Sequence, residues 1–375
     1  MVQTALYTAG LLVLFPKAKD VRNNKSPANS HKSLRENRPS DGCSHFLQFV
    51  CHRMRRPLER EKNKGPDSGS AVCVLITLYE EWFPGFPRKE SDEIREHVEE
   101  SLNRHRYLNS LFPHENSTAI YGSNQFSHLF PGEFKAIYLR STTSRFPTYP
   151  AEEWKSISNV SLPLRFDWRD KHVVTQVRNQ QMCGGCWAFS VVGAVESAFA
   201  IKGEPLEDLS VQQVIDCSYD NYGCNGGSPL NALNWLKKMK VKLVRESEYP
   251  FKAQNGLCHY FSDSLSGFSI KDYSAYDYSG QEDGMARVLL SFGPLIAVVD
   301  AVSWQDYLGG IIQHHCSRGE ANHAVLITGF DKTGSTPYWI VRNSWGSSWG
   351  VDGYAHVKMG SNICGIADSV SFVFV

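Results

Sequence analysis

The sequence has few long hydrophobic runs and no excess of charge of either sign. An apolar run at residues 5–15 is too short to cross a bilayer, because a membrane-spanning helix needs about 20 apolar residues. Its length suits a signal peptide, but no basic residue precedes it and no small-residue cleavage site follows it. We therefore expect no transmembrane segment. The 42% hydrophobic content of the 375 residues predicts a sizeable core divided over two or more folded pieces.

The net charge of zero conceals a gradient along the chain. Residues 1–66 carry 13 Lys and Arg against 5 Asp and Glu, whereas residues 162–375 carry 17 against 21. A basic head can bind nucleic acid or an anionic membrane. This one lacks interleaved aromatic residues, and its Asn, Ser and Pro content is typical of disordered chain. We expect no nucleic-acid partner, and we interpret residues 1–84 as an atypical N-terminal segment with a disordered basic head.

Residues 85–161 contain two predicted helices and a linker. Between residues 90 and 109, Ile94, Val98, Leu102 and Leu108 lie about one turn apart, which predicts an amphipathic helix. Residues 119–146 indicate a short aromatic strand and turn followed by a second helix. Residues 142–162 are rich in Ser, Thr and Pro and are the best candidate for a linker that is cleaved. The sequons at Asn116 and Asn159 predict glycosylation on a secretory route.

The remaining 214 residues divide into a helical half and a β half. Residues 186–202 are apolar around most of their circumference, which predicts a buried helix that ends at Gly203. After about residue 265 the pattern changes to short β-type runs, at residues 295–299, 324–330, 338–341 and 354–357.

Ten cysteines offer several kinds of chemistry. Cys43, Cys51 and Cys73 precede residue 162, and seven follow it. Seven is odd, so complete pairing in an oxidising compartment would leave one free thiol. The pair Cys183 and Cys186 could be a redox dithiol or half of a zinc site. However, no βαβ pattern surrounds it and no second close pair accompanies it.

A nucleophilic cysteine is the third interpretation. Cys186 opens the predicted buried helix, where unpaired N–H groups and the helix dipole favour a thiolate and predict a depressed pKa. Histidine is the side chain suited to accept and return the proton, and His323 begins a β-type run that would hold its ring. Asn343 follows another such run, and its amide oxygen could orient the imidazole while Trp345 and Trp349 exclude water.

These residues resemble the papain family of cysteine proteases. The nucleophile motif is met by Cys183-Gly-Gly-Cys-Trp187, and order and spacing agree across residues 162–375. The other matching motifs are Leu162-Pro-Leu-Arg-Phe-Asp-Trp-Arg169, Cys224-Asn-Gly-Gly227, Asn322-His-Ala324 and Asn343-Ser-Trp-Gly346. The resemblance implies an α+β fold with a papain-like two-lobed protease domain, a helical left lobe and a β-barrel-like right lobe, preceded by an α-helical propeptide. Residues 162–375 would be the mature domain.

The same resemblance implies a role for further residues. Gln180 would donate its amide to the oxyanion beside the backbone N–H of Cys186. Disulfides would join Cys183 to Cys224, Cys217 to Cys258 and Cys316 to Cys364, which leaves Cys186 free. Extended peptide would pair with Gly226 and Gly227. Apolar side chains would enter a small pocket, and the remaining substrate-binding residues are Ser228, Pro229, Val298, Asn322, Ala324, Trp345 and Ser369.

Residues 85–161 resemble the inhibitory propeptide of the family less closely. Gly122, Asn124 and Phe126 match its strand motif, but Ser127 stands where the family has Asp, and the helical motif keeps only Glu90 and Asn109.

The resemblance therefore predicts a lysosomal-type cysteine endopeptidase made as a zymogen, which contributes to intracellular protein turnover. Its partners would be protein and peptide substrates, its own propeptide and cystatin-type inhibitors. We expect a monomer that needs no metal or organic cofactor. Three alternatives remain: a catalytically silent homologue, a thiol oxidoreductase that uses Cys183 and Cys186, and a binder that acts through the basic head.

Overall fold

The computed structural model describes residues 91–111, 119–150, 159–259, 267–316 and 319–375. Its helices are α1 (Ser91–Ser110), α2 (Pro131–Tyr138), α3 (Cys186–Ile201), α4 (Val211–Cys217), α5 (Pro229–Lys238) and α6 (Glu282–Phe292). The strands are β1 (Ile120–Tyr121), β2 (Arg165–Asp167), β3 (Asp272–Tyr276), β4 (Leu295–Val299), β5 (Tyr307–Gly309), β6 (Ile311–Ile312), β7 (His323–Asp331), β8 (Tyr338–Arg342), β9 (Tyr354–Lys358) and β10 (Val370–Phe374).

The central helix α3 belongs to a first, mainly helical core. Residues 186–198 of α3 are buried, as their apolar composition predicts. The helix ends at Ile201, and Gly203 follows with a φ of 97°, a backbone conformation that glycine adopts at little cost. Two helices pack beside α3. Ser210 caps α4 by accepting a hydrogen bond from the Gln213 N–H, and Pro229 opens α5, where a missing N–H is harmless.

A second core lies around an eight-stranded sheet. Seven strands follow the order β3-β10-β4-β7-β8-β9-β6, and β2 pairs with β7. Strand β4 is buried on both faces, which explains its uninterrupted apolar run. All four predicted β-type runs are strands, and β7 (residues 323–331) extends the predicted run of residues 324–330 by one residue at each end. The barrel-like sheet expected for this lobe is open, because its end strands β3 and β6 do not pair with each other.

The described residues before 151, which we call the leading segment, pack against the second core. Helix α1 covers the predicted range shifted by one residue, and β1 and α2 confirm the predicted strand and second helix. Strand β1 pairs with β5. Tyr121, Phe126 and Phe134 are buried in the same cluster as Trp345 and Trp349. The leading segment is therefore part of the hydrophobic core of the β lobe.

Candidate active site

Cys186 is the first residue of α3 and is fully buried. It is the free cysteine of the described residues. Disulfides join Cys183 to Cys224, Cys217 to Cys258 and Cys316 to Cys364, the pairs that the family resemblance implies. Since Cys183 is bonded to Cys224, it forms neither a dithiol nor a zinc half-site with Cys186.

The expected depression of the Cys186 pKa is wrong for this form of the protein. Burial raises the pKa of the thiol to about 11, although neighbouring backbone groups, including those of Ala324 and Arg140, act in the opposite direction. The physical reason is desolvation, which penalises the thiolate more than the helix terminus stabilises it. Arg140 belongs to the leading segment, so that segment lies against the thiol.

His323 and Asn343 meet as the sequence predicts. The distance between His323 Nε2 and Asn343 Oδ1 is 2.7 Å. The Ser344 N–H also donates to Asn343 Oδ1, at 2.8 Å, which leaves this oxygen oriented as the acceptor for the imidazole. The Trp345 ring lies 4.6 Å from the His323 ring between centroids and keeps water from the bond.

Burial also controls the charge of His323. It lowers the pKa of the imidazole to about 4, although the Asn343 side chain and the Tyr138 carbonyl favour protonation. Between about pH 4 and pH 11, the buried thiol and imidazole are therefore both neutral. The thiolate–imidazolium pair that nucleophilic chemistry needs is not the favoured state here.

Gln180 lies beside the same residues and is fully buried. Its Nε2 donates to the Cys183 carbonyl at 2.9 Å and to the Tyr138 carbonyl at 3.3 Å. Its Oε1 accepts a hydrogen bond from Ser344 Oγ at 2.6 Å. Ser344 thus fixes which end of the amide faces the cleft. Sequence reasoning missed Ser344, although it lies between the two motif residues Asn343 and Trp345.

The leading segment runs through the cleft in extended form. The Gly227 N–H donates to the Arg140 carbonyl at 3.1 Å, and the Gly227 carbonyl accepts from the Thr142 N–H at 2.9 Å. Ser141 forms a parallel bridge with Gly227 and donates its N–H to the Asn322 carbonyl at 2.9 Å. Gly226 permits this approach, because a Cβ there would lie 2.5 Å from the Arg140 oxygen. The site therefore binds an extended peptide, and here that peptide is the chain itself.

The predicted pocket residues are brought together in part. Val298 pairs with Ala324 between β4 and β7, and the Val298 N–H donates to the Ser369 carbonyl at 3.2 Å. Thr143 of the leading segment donates its hydroxyl to Ser369 Oγ at 2.8 Å. Ser228 and Pro229 open α5, directly after Gly227. Ser369 and Gly227, the residue before Ser228, thus both contact residues 140–143 of the leading segment.

Several contacts that hold the leading segment were not predicted. Phe126 and Phe134 each lie 5.3 Å from the Trp345 ring between centroids. Gln305 Nε2 donates to the carbonyls of Phe126 and Leu129. Ser127, at the position of the family aspartate, accepts a hydrogen bond from the Asn124 N–H at 2.9 Å and closes the turn.

Some predictions concern residues outside the described ranges. These are the glycosylation of Asn116, the helical-motif residue Glu90, the roles of Cys43, Cys51 and Cys73, and the segment 1–84. Asn159 is described and exposed, as glycosylation requires. Among the described helices, none is long and apolar enough to span a membrane.

The papain family cysteine protease model matches residues 162–374. Among curated proteins, cathepsin O of Homo sapiens is 82% identical over 292 residues, which cover 78% of this chain and 91% of the human protein. Cathepsin O of Mus musculus is 73% identical over 278 residues, which cover 74% and 89% of the two chains.

Solved structures of protease precursors have the same fold. Digestive procathepsin L2 from Tenebrio molitor is 27% identical with a TM-score of 0.72, and the match covers 81% of this chain and all of the other. The recombinant stem bromelain precursor is 32% identical with a TM-score of 0.68, and the match covers 80% and 99%. Because these shares of the 375 residues exceed the 214 residues from 162 to 375, both matches include residues before 162.

Proposed function

Because the chain belongs to the papain family of cysteine proteases, we propose that Cys186 is its nucleophile and that His323 is its general acid and base. The protein is a cysteine endopeptidase made as a zymogen. The assignment of residues is supported by the position of the free thiol: Cys186 lies against the backbone of Ala324, the residue that follows His323, and His323 is hydrogen-bonded to Asn343.

The reaction divides peptide hydrolysis into two steps. The Cys186 thiolate attacks the peptide carbonyl, and His323 protonates the departing amine, which leaves a thioester on Cys186. Water then attacks the thioester with His323 as the base. Asn343 holds the imidazole in the required orientation through the 2.7 Å hydrogen bond.

Gln180 would stabilise the charge that develops on the carbonyl oxygen. Its Nε2 already donates to a peptide carbonyl, that of Tyr138, at 3.3 Å. A substrate carbonyl in that place would receive the same donor together with the Cys186 N–H at the start of α3. Ser344 supports this role by holding the other end of the amide.

Residues 85–161 would be the inhibitory propeptide and residues 162–375 the mature protease. The leading segment occupies Gly227 and Asn322 with its own backbone and supplies the carbonyl that faces Gln180. By covering the site it would also exclude water, in keeping with the neutral thiol and imidazole that burial favours. Its removal would rehydrate both groups and allow the ion pair to form.

We further propose a lysosomal location, a role in intracellular protein turnover, a monomeric mature form and inhibition by cystatin-type proteins. The identity to human cathepsin O supports these finer assignments. The alternative of a silent homologue is disfavoured, because Cys186, His323, Asn343 and Gln180 are all present in the sequence. The alternative of a thiol oxidoreductase is disfavoured by the bond between Cys183 and Cys224.

Covalent labelling tests the proposed nucleophile. The full chain is processed at acid pH under reducing conditions and treated with an epoxide that traps cysteine proteases. We expect one label per molecule, on Cys186, and none in Cys186→Ser, whose side chain has nearly the same shape and preserves the fold. Labelling of Cys186→Ser at the parental level would contradict the assignment, and circular dichroism of both proteins controls for unfolding.

A further inference from the structure

Asp300 directly follows strand β4, at the level of the active-site histidine. The last residue pair of β4 and β7 joins Val299 to His323, and Asp300 comes directly after it. Asp300 is 3% exposed, and its Oδ1 accepts a hydrogen bond from Asn322 Nδ2 at 3.0 Å. The same Oδ1 also accepts from the Val302 N–H, at 3.3 Å. Burying a carboxylate costs free energy unless hydrogen bonds compensate for the lost water, so its position one residue after the Val299–His323 pair calls for an explanation.

The side chain of Asn322 is held at both ends. Its Oδ1 accepts from the Ala301 N–H at 3.0 Å, and its Nδ2 donates to Asp300 Oδ1 and to the Glu320 carbonyl. An amide has an acceptor at one end and a donor at the other. Because a carboxylate can only accept, Asp300 selects the orientation in which the Asn322 oxygen faces the Ala301 N–H.

The backbone of Asn322 connects this clamp to the cleft. Its N–H donates to the Val299 carbonyl at 2.9 Å, and its carbonyl accepts from the Ser141 N–H, the backbone of the bound peptide. His323 is the next residue and is completely buried. A displacement of Asn322 would therefore move a peptide-binding carbonyl and the imidazole together, and a misplacement of about 1 Å can cost about 100-fold in rate.

We propose that Asp300 is a positioning residue for catalysis, which acts through Asn322 on His323. The proposal rests on the role proposed above for His323. It predicts that kcat is high when one of positions 300 and 322 donates a hydrogen bond and the other accepts it. Which of the two positions carries the carboxylate should matter less.

The experiment measures kcat per active site, with sites counted by epoxide labelling of the acid-processed full chain. Asp300→Ala removes the acceptor, and we expect kcat to fall by about tenfold to 100-fold. Asp300→Asn can still accept from Asn322 Nδ2, and we expect it to stay within about threefold of the parent, since a neutral acceptor weakens the hydrogen bond without removing it.

An exchange of the two side chains gives the sharper comparison. Asn322→Asp sets two carboxylates against each other where the donor–acceptor distance is now 3.0 Å, and kcat should fall at least as far as in Asp300→Ala. In the double variant Asp300→Asn/Asn322→Asp, position 300 donates to position 322 and the Ala301 N–H keeps an acceptor, while the Glu320 carbonyl loses the donor that Asn322 Nδ2 gives it. We expect the double variant to recover at least about tenfold in kcat over Asn322→Asp.

Two results would overturn the proposal. The first is a kcat per labelled site in Asp300→Ala equal to that of the parent. The second is a kcat in the double variant no higher than that of Asn322→Asp. The second comparison holds even if Asp300→Ala does not fold. A parent chain that takes no label would instead contradict the proposed nucleophile, so the two failures are distinguishable.

Discussion

Arg104 of helix α1 forms a two-point ion pair with Asp306, 202 positions later in the chain. Arg104 Nη2 lies 3.1 Å from Asp306 Oδ1, and Nε donates to Oδ2 at 2.5 Å. Asp306 is 1% exposed, and His105 Nε2 lies 3.1 Å from the same Oδ1. The carboxylate belongs to the protease domain and its partners to the proposed propeptide, so this pair anchors the propeptide helix.

Loss of Arg104 should speed activation of the zymogen. Arg104→Ala leaves a buried carboxylate without its main partner, and breaking such a pair costs about 3–5 kcal/mol, or at least about 100-fold in propeptide affinity. The measurement is the time course of activity of the full chain towards a small peptide after acidification. Arg106 is exposed on the same helix, so Arg106→Ala is the matched control. Equal time courses for both variants would contradict the anchoring role.

Gly226 should be needed for peptide binding, because it lies against the backbone of the bound leading segment at Arg140. Its φ is 122°, and an added Cβ would lie 2.5 Å from the Arg140 oxygen. We expect Gly226→Ala to weaken both propeptide inhibition and substrate binding, with KM raised about tenfold or more. Gly280 has a φ of 74° but open space around a Cβ, so Gly280→Ala controls for backbone strain. Equal KM values in the two variants would argue against pairing at this glycine.

Loss of Gln180 should slow the chemical step but leave the Cys186 thiol reactive. Gln180→Ala removes a donor to the developing oxyanion and should lower kcat about 100-fold to 1,000-fold. Epoxide labelling of this variant should still reach one label per molecule. Ser344→Ala leaves the Gln180 amide in place and loses only the hydrogen bond that orients it, so we expect a smaller loss of about tenfold. A Gln180→Ala variant with parental kcat would remove this residue from the mechanism.

The sequence was sufficient to predict the residues that form local motifs. Cys186 begins a helix whose composition is apolar all round, and His323 and Asn343 lie at the ends of strongly β-type runs, so motif and local structure agree. The order of helical and β halves follows from the same patterns, whereas the two-lobed fold was implied by the family resemblance.

The contacts between the propeptide and the protease domain could not be predicted in this way. Arg104 and Asp306 carry no local signal, because their importance comes from a contact between distant parts of the chain. The opposite sign of the Cys186 pKa shift is also a tertiary effect: the helix position favours the thiolate, but complete burial of the thiol desolvates it. Burial of a group by a distant segment is a property of the tertiary structure.

We expect activation to change the protonation of the catalytic pair. In the covered form the pKa of Cys186 is about 11 and that of His323 about 4, so near neutral pH neither group is charged. Exposure to water lowers the pKa of the thiol and raises that of the imidazole. The two groups can then form the ion pair, and its apparent pKa values belong to the pair.

The rate of alkylation of Cys186 as a function of pH tests this claim most directly. Iodoacetamide is reacted with the full-length zymogen and with the acid-processed enzyme from pH 4 to pH 11, and modification of Cys186 is followed by peptide mass spectrometry. We predict rapid alkylation of the processed enzyme already near neutral pH, whereas the zymogen should react appreciably only in the strongly alkaline range. Identical pH profiles for the two forms, or a processed enzyme whose Cys186 reacts only at alkaline pH, would contradict the account.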